Sequence, residues 1–137
     1  MAVVLVLLAV AVAVVLDRRR PAVPTQVRWV VPSKVDRSDF ARPDVPWLVA
    51  VFSSATCESC AAVVAKARPL ESDEVVVEEV EFGARRDLHR RYGLDAVPCI
   101  VIADAGGVVR ASFIGPATAT DLWATLADLR EKSDGPA

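Results

Sequence analysis

Cys57 and Cys60 are the residues of this chain whose type and spacing could do chemistry. They close the stretch F-S-S-A-T-C-E-S-C over residues 52–60. An apolar run, P-W-L-V-A-V-F, leads in over 46–52, and A-A-V-V-A-K-A follows over 61–67. The run is short, continuous and rich in valine, the pattern of a buried strand. The alanine-rich segment after Cys60 is a helix former. The pair therefore sits where a strand hands over to a helix. Thr56 is placed to cap that helix, its hydroxyl accepting from a first-turn N–H. Cys57 would then be the first helical residue, where unpaired N–H groups and the positive end of the helix dipole lower a thiol pKa. Glu58 beside it opposes part of that effect, because its charge repels a thiolate. The balance predicts a Cys57 thiol at roughly 7–8. Cys60 lies one turn on, on the same side, within reach of a mixed disulfide held on Cys57. This points to reversible dithiol–disulfide exchange, with Cys57 attacking and Cys60 resolving. Two other readings of C-x-x-C stand beside it: a structural metal site, which wants four ligands, and an inert pair. Three cysteines, an odd number, exclude a fully paired disulfide framework.

The elements that must position the pair follow from the pattern. Residues 27–31 (V-R-W-V-V) read as a short first strand ended by Pro32, and 33–45 as loop with one turn of helix near Asp39 and Phe40. The helix after Cys60 is expected to stop before Pro69, because proline keeps the preceding residue out of the αR region. Residues 75–82 (V-V-V-E-E-V-E-F) read as a strand whose second half puts Val80 and Phe82 on one side, Glu79 and Glu81 on the other. A short basic helix over 85–92 closes at Gly93. His89, the only histidine, lies in it among Arg85, Arg86, Arg90 and Arg91 and reads as part of a solvated face. Residues 99–103 and 108–114 form a hairpin around 104–107. Thr118 and Asp121 resemble a capping box opening the last helix, with Leu122, Trp123, Leu126 and Leu129 as its buried stripe.

A second stretch makes the first specific. Residues 92–102 read Y-G-L-D-A-V-P-C-I-V-I, a proline directly before a strand-like run. With the strand–C-x-x-C–helix upstream, the chain resembles the thioredoxin superfamily, and within it membrane-anchored thioredoxin-like proteins of bacterial type. Gly106-Gly107 and S-F-I-G over 112–115 resemble that family's last hairpin and the glycine after it. The resemblance covers roughly 27–130. It implies an α/β thioredoxin-like fold, a central mixed sheet flanked by helices. It implies that Pro98 is cis and faces the sulfurs, that Cys57, Cys60 and Pro98 are the catalytic set, and that Val97 and Thr56 help to hold an extended substrate segment. Substrates would be protein thiols or disulfides, with a protein redox partner and no cofactor.

The chain also departs from the family. The tryptophan common before the first cysteine is Thr56, and the intervening dipeptide is Glu-Ser rather than Gly-Pro. The buried aspartate of the central strand aligns with Val51, and a lysine of the next strand with Glu79. Glu58 and Glu79 are therefore candidate modulators, Glu79 either as a replacement acid–base group or as a plain solvated carboxylate. Cys99 stands where the family often has threonine. It reads as a trapping thiol, as a soft-metal ligand with Cys57 and Cys60, or as a buried small hydrophobe. The family's oxidants stabilise the thiolate through the residues between the cysteines, often a histidine, and Glu58 does the opposite. The couple is thus expected nearer the reductants at about −270 mV than the oxidants at about −120 mV. The alternative to an oxidoreductase is a non-catalytic or soft-metal-binding module.

The chain has 137 residues, enough for one domain with a core. The expected organisation is a transmembrane anchor over 1–17, a linker over 18–26 with Pro21 and Pro24, a thioredoxin-like domain over 27–132 and a disordered tail over 133–137. Residues 2–16 are fifteen alanines, valines and leucines. As a helix they reach about 22 Å against a hydrocarbon core of about 30 Å, and Arg18, Arg19 and Arg20 can snorkel to close the gap. A cleaved signal peptide lacks a basic residue before the run, and a buried soluble helix would want a polar face. The arginines follow the span, so the positive-inside rule puts the C-terminal domain in the cytoplasm, with the extracytoplasmic side as the alternative. A net charge of −2 gives no reason to expect nucleic acid as a partner.

Overall fold

The structure, a computed structural model, describes residues 29–134. The expected anchor over 1–17 and linker over 18–26 lie outside the described residues, as do 135–137. Among the described residues no helix is long and apolar enough to cross a membrane.

The apolar run becomes strand β1, Trp47–Ser53, buried along its whole length. A strand apolar on both faces needs cover on both, and helices packed on the two sides of the sheet supply it. Strand β2, Val75–Glu81, pairs with β1 in parallel, and β3, Cys99–Ala103, pairs with it antiparallel. Strand β4, Val109–Ile114, completes the hairpin with β3, so the order is β2-β1-β3-β4. Three α-helices cover this mixed sheet: α1, Cys60–Ala67; α2, Arg86–Arg91; and α3, Ala119–Asp134.

The pleat divides β1 between two cores. Val49 and Val51 join Ile100 and Ile102 under Val63 and Val64 of α1 and Leu122 and Leu126 of α3. Leu48, Ala50 and Phe52 join Cys99 and Val101 against Leu88 of α2, with Tyr92, Val35 and Phe40. Burying each of the larger side chains contributes about 1.5–3 kcal/mol relative to leaving it in water.

Several expectations hold. The capping box is present: Thr118 Oγ1 accepts the Asp121 N–H at 3.1 Å and donates to its carboxylate at 2.6 Å. A 3-10 turn, Arg37–Asp39, stands where one turn of helix was expected. Gly93 closes α2 with φ at 63°.

Others are corrected. Of the strand expected over 27–31, residues 27 and 28 lie outside the described residues and 29–31 form no strand; among the described residues the first sheet contact is a single bridge between Lys34 and Val108. Pro32 has no N–H to give, and Ser33 O and the Val35 N–H are taken up by Val109 and Gly107 at the hairpin end, away from β2. The outer edge of β2 is instead capped locally, its Val77 N–H donating to the Glu71 carboxylate. The α-helix does end before Pro69, yet Arg68 keeps αR dihedrals and leads a 3-10 turn, Arg68–Leu70. Proline fits an opening turn because its missing N–H is not needed there. Trp123 is not in the buried stripe. It is 45% exposed, and its indole N–H donates to Lys66 O at 2.9 Å. Its neighbour Leu122 faces the core, and Trp123, about 100° further round the helix, falls outside the face that α3 buries. Phe82 is likewise half-exposed, just past the end of β2. Residues 133 and 134, expected in the tail, belong to α3, which runs to Asp134.

His89 is the largest correction. It is 2% exposed, with Nε2 2.8 Å from Val80 O and the ring edge-on to Phe52 and Phe82. Leu88 and His89 of the short helix both turn inward against the sheet while the arginines around them stay out.

Candidate active site at the Cys57–Cys60 turn

Cys57 and Cys60 are joined by a disulfide, their Cα atoms 5.5 Å apart. Helix α1 begins at Cys60, so Cys57 is not its first residue. A tight turn leads in: the Cys57 N–H donates to Ser54 O at 3.1 Å, and the Cys60 N–H to Cys57 O at 3.3 Å. Thr56 does not cap the helix; its hydroxyl is 3.1 Å from Ser54 Oγ. Serine and threonine in a loop compete for local partners in this way. Cys57 thus stands before the first helical turn, where the dipole is weaker than at the first residue. The sulfurs differ in access. Cys60 is buried, whereas Cys57 is half-exposed with Ser59 Oγ 3.8 Å from its sulfur. Glu58 is exposed beside it.

The Val97–Pro98 peptide is cis. Cys99 pairs with Phe52, so Pro98 comes beside the end of β1, the end that carries the cysteine turn. Pro98 O accepts the Gly115 N–H at 2.8 Å. Pro98 is buried and Val97 half-buried, while Thr56 is exposed on the turn.

Cys99 is buried, and that burial pushes its thiol up to about 11. It packs on the α2 face with Val101, whereas Ile100 and Ile102 face α1, which begins at Cys60. The pleat therefore turns the third thiol away from the helix that carries the second. Among the described residues no three His, Cys, Asp or Glu side chains are grouped to hold a metal ion. The alternative three-cysteine soft-metal set is not assembled, and Cys99 is the small buried core residue that was one of its readings.

Glu79 lies opposite Val51 across the β1–β2 pairing. Its carboxylate accepts from the buried Ser53 hydroxyl at 2.7 Å and lies 3.6 Å from the Arg68 guanidinium. It is a bonded, partly solvated group. Two residues that the sequence does not mark as part of the site matter here, Ser53 and Glu81. Glu81 Oε1 accepts the Ala55 N–H at 3.1 Å and Oε2 the Ala84 N–H at 2.9 Å. The only trace of Glu81 in the sequence is its place in the alternation of β2; what it bonds depends on the register against β1.

No protein-family profile matches the sequence, and no curated protein does. Solved structures do match in shape. A point mutant of a thioredoxin from Halobacterium salinarum superposes with a TM-score of 0.54 at 19% identity, over 63% of this chain and 76% of its own. The germline-specific thioredoxin Deadhead from Drosophila melanogaster gives 0.55 at 24% identity, over 64% and 84%. A structure described as a malarial protein gives 0.55 at 15% identity, over 61% and 96%. Residues 29–134 thus have the thioredoxin fold. They carry a disulfide-bonded C-x-x-C at the mouth of α1, the kind of site suited to thiol–disulfide chemistry.

Proposed function

We propose that the protein is a thiol–disulfide oxidoreductase working in the reductive direction through Cys57 and Cys60. The observation that carries the reading is the asymmetry of the pair: a half-exposed Cys57 bonded to a buried Cys60, with Pro98 at the same end of β1. In the dithiol form the Cys57 thiolate attacks one sulfur of a substrate disulfide. The first substrate thiolate leaves and takes a proton. Cys60, deprotonated, then attacks Cys57 Sγ and breaks the mixed disulfide, releasing the second substrate thiolate. Two electrons pass to the substrate, and the Cys57–Cys60 bond is formed. Val97, Pro98 and Thr56 are the residues proposed to seat the substrate segment, with Glu58 tuning Cys57 and Glu79 serving as a proton acceptor. A protein redox partner would return the pair to the dithiol.

The direction rests on electrostatics. Glu58 disfavours the Cys57 thiolate, and α1 begins only at Cys60, so less of its dipole reaches Cys57. A less stable thiolate favours the disulfide and lowers the potential. Equilibration with glutathione should place the couple near about −270 mV. A value above about −170 mV, between the family's poles, would reverse the direction, and a chain that forms no such couple would end the reading. A membrane tether over 1–17, with this domain on the cytoplasmic side, belongs to the same proposal. Its support is the apolar run followed by Arg18, Arg19 and Arg20. A topology reporter fused to the C-terminus and active only outside the membrane would overturn that part.

A further inference from the structure

We infer that Glu81 is a positioning residue for the exchange reaction: its carboxylate ties the loop carrying Cys57 to the end of β2, holding the Cys57 sulfur within reach of Cys60. The inference rests on the reading of this pair as a working dithiol–disulfide couple.

The two cysteines are held by different means. Cys60 belongs to α1, whose backbone bonds and buried Val63, Val64 and Ala67 fix it against the sheet. Cys57 lies in the loop between β1 and α1, with no such support. In the disulfide form the sulfur–sulfur bond supplies the missing constraint. Once it is reduced, the loop depends on what else binds it.

Glu81 provides that tie. The parallel pairing sets Glu81 opposite Ser53, the last residue of β1, so its side chain starts beside the loop's origin. One carboxylate oxygen takes the Ala55 N–H, two residues before Cys57, and the other takes the Ala84 N–H beyond β2. The Gly83 N–H also bonds the carboxylate, and these N–H groups hold its pKa below the ordinary carboxylate value. The clamp is therefore charged at neutral pH. From Ala55 the constraint passes to Cys57 through the adjoining turn, where the Cys57 N–H donates to Ser54 O. Hydrogen bonds from N–H to a carboxylate are among the stronger ones available to a loop.

The consequence concerns one step. When Cys60 attacks the mixed disulfide at Cys57 Sγ, the rate depends on the effective concentration of one sulfur at the other. A clamped loop keeps that concentration high, favouring both release of the substrate thiol and closure of the disulfide. Loosening the loop should slow release and make the disulfide less stable.

Glu81→Ala removes the clamp together with its charge. Gly83→Ala separates the two, because a Cβ at Gly83 would come 2.9 Å from Glu81 Oε2 and push the flexible carboxylate aside without neutralising it. The full chain and both variants are equilibrated with glutathione, and release of glutathione from a Cys57 mixed disulfide is timed. Both variants should lower the equilibrium constant for disulfide closure about tenfold, a potential about 30 mV more positive, with release slowed to match. The pH profile of Cys57 alkylation should not move in Gly83→Ala, which retains the charge. A changed potential and release rate in Glu81→Ala alone, with Gly83→Ala like the wild type, would mean that the charge and not the tie matters, and would overturn the inference. So would values within about twofold of the wild type in both variants. If the wild type itself forms no couple with glutathione, the functional reading fails first and separately. Should Glu81→Ala fail to fold, Gly83→Ala decides the matter.

Discussion

Cys57, Cys60 and Cys99 have the same side chain and three different environments. Burial pushes Cys99 to about 11, so at pH 8 roughly one molecule in a thousand carries its thiolate, and the reagent cannot reach it through the sheet. On the reduced protein, limiting alkylation at pH 8 should label half-exposed Cys57 first and Cys60 more slowly, with Cys99 reacting only after unfolding in denaturant. Mass mapping that finds Cys99 modified at the rate of Cys57 would remove the account of it as a core residue. The cysteine pair and Pro98 were legible in the sequence because each signal is local: a spacing of two residues, and a proline before a strand-like run of isoleucine and valine. The environment of Cys99 was not, since which face of β3 it takes is set by register against β1.

At the scale of elements, the β3–β4 hairpin depends on one glycine. Gly107 has φ at 78°, and a Cβ there would lie 2.0 Å from Val35 O. The contact exists because Val35 N–H donates to Gly107 O, drawing the segment around Val35 across the hairpin. Gly107→Ala combines a left-handed backbone with a backbone clash, so it should cost about 1–3 kcal/mol or more. A urea titration would show the midpoint falling with the slope unchanged, and an unchanged midpoint would refute the claim. Gly106-Gly107 was readable as a turn. The absence of strand over 29–31 was not, because V-R-W-V-V has strand composition while Pro32 and the hairpin contacts decide where the chain goes. His89 shows the same limit: four arginines around it suggest a wet helix face, and only the packing of α2 on Phe52 and Phe82 turns it inward.

For the whole molecule, the shifted groups set a window of pH stability. Asp36 and Glu81 lie below their ordinary 3.8 and 4.5, held there by hydrogen bonds from Ser38 and from Gly83 and Ala84. Asp104 is lowered too: burial opposes this, but Arg110 and the Val108 N–H outweigh it. Stability from these carboxylates is present above the unfolded values and is lost as pH falls through the folded ones. At the alkaline end Cys99 and Tyr92 are raised from 9.0 and 10.0 to about 11 and about 12, both chiefly by burial, Tyr92 also by donating to Asp39. The unfolded chain loses these protons first, so stability should decline as pH rises above about 9. Urea midpoints across pH should give a plateau from roughly 5 to 9 with a fall on each side, and a midpoint still rising at pH 10.5 would contradict the burial of Cys99 and Tyr92.

Sequence by itself determined what depends on neighbours along the chain: the buried run of β1, the cysteine turn before a helix, the proline before β3, the Thr118–Asp121 cap. Each is a short-range pattern of period, spacing or capping. Tertiary structure alone decided what depends on residues far apart meeting across the sheet. It turned Cys99 away from α1, sent Trp123 out and His89 in, and brought the Glu81 carboxylate to the Ala55 N–H. Those outcomes follow from strand register and helix docking: a one-residue slip in a strand reverses which side chains face the core, and a one-residue step on a helix turns its buried face by about 100°.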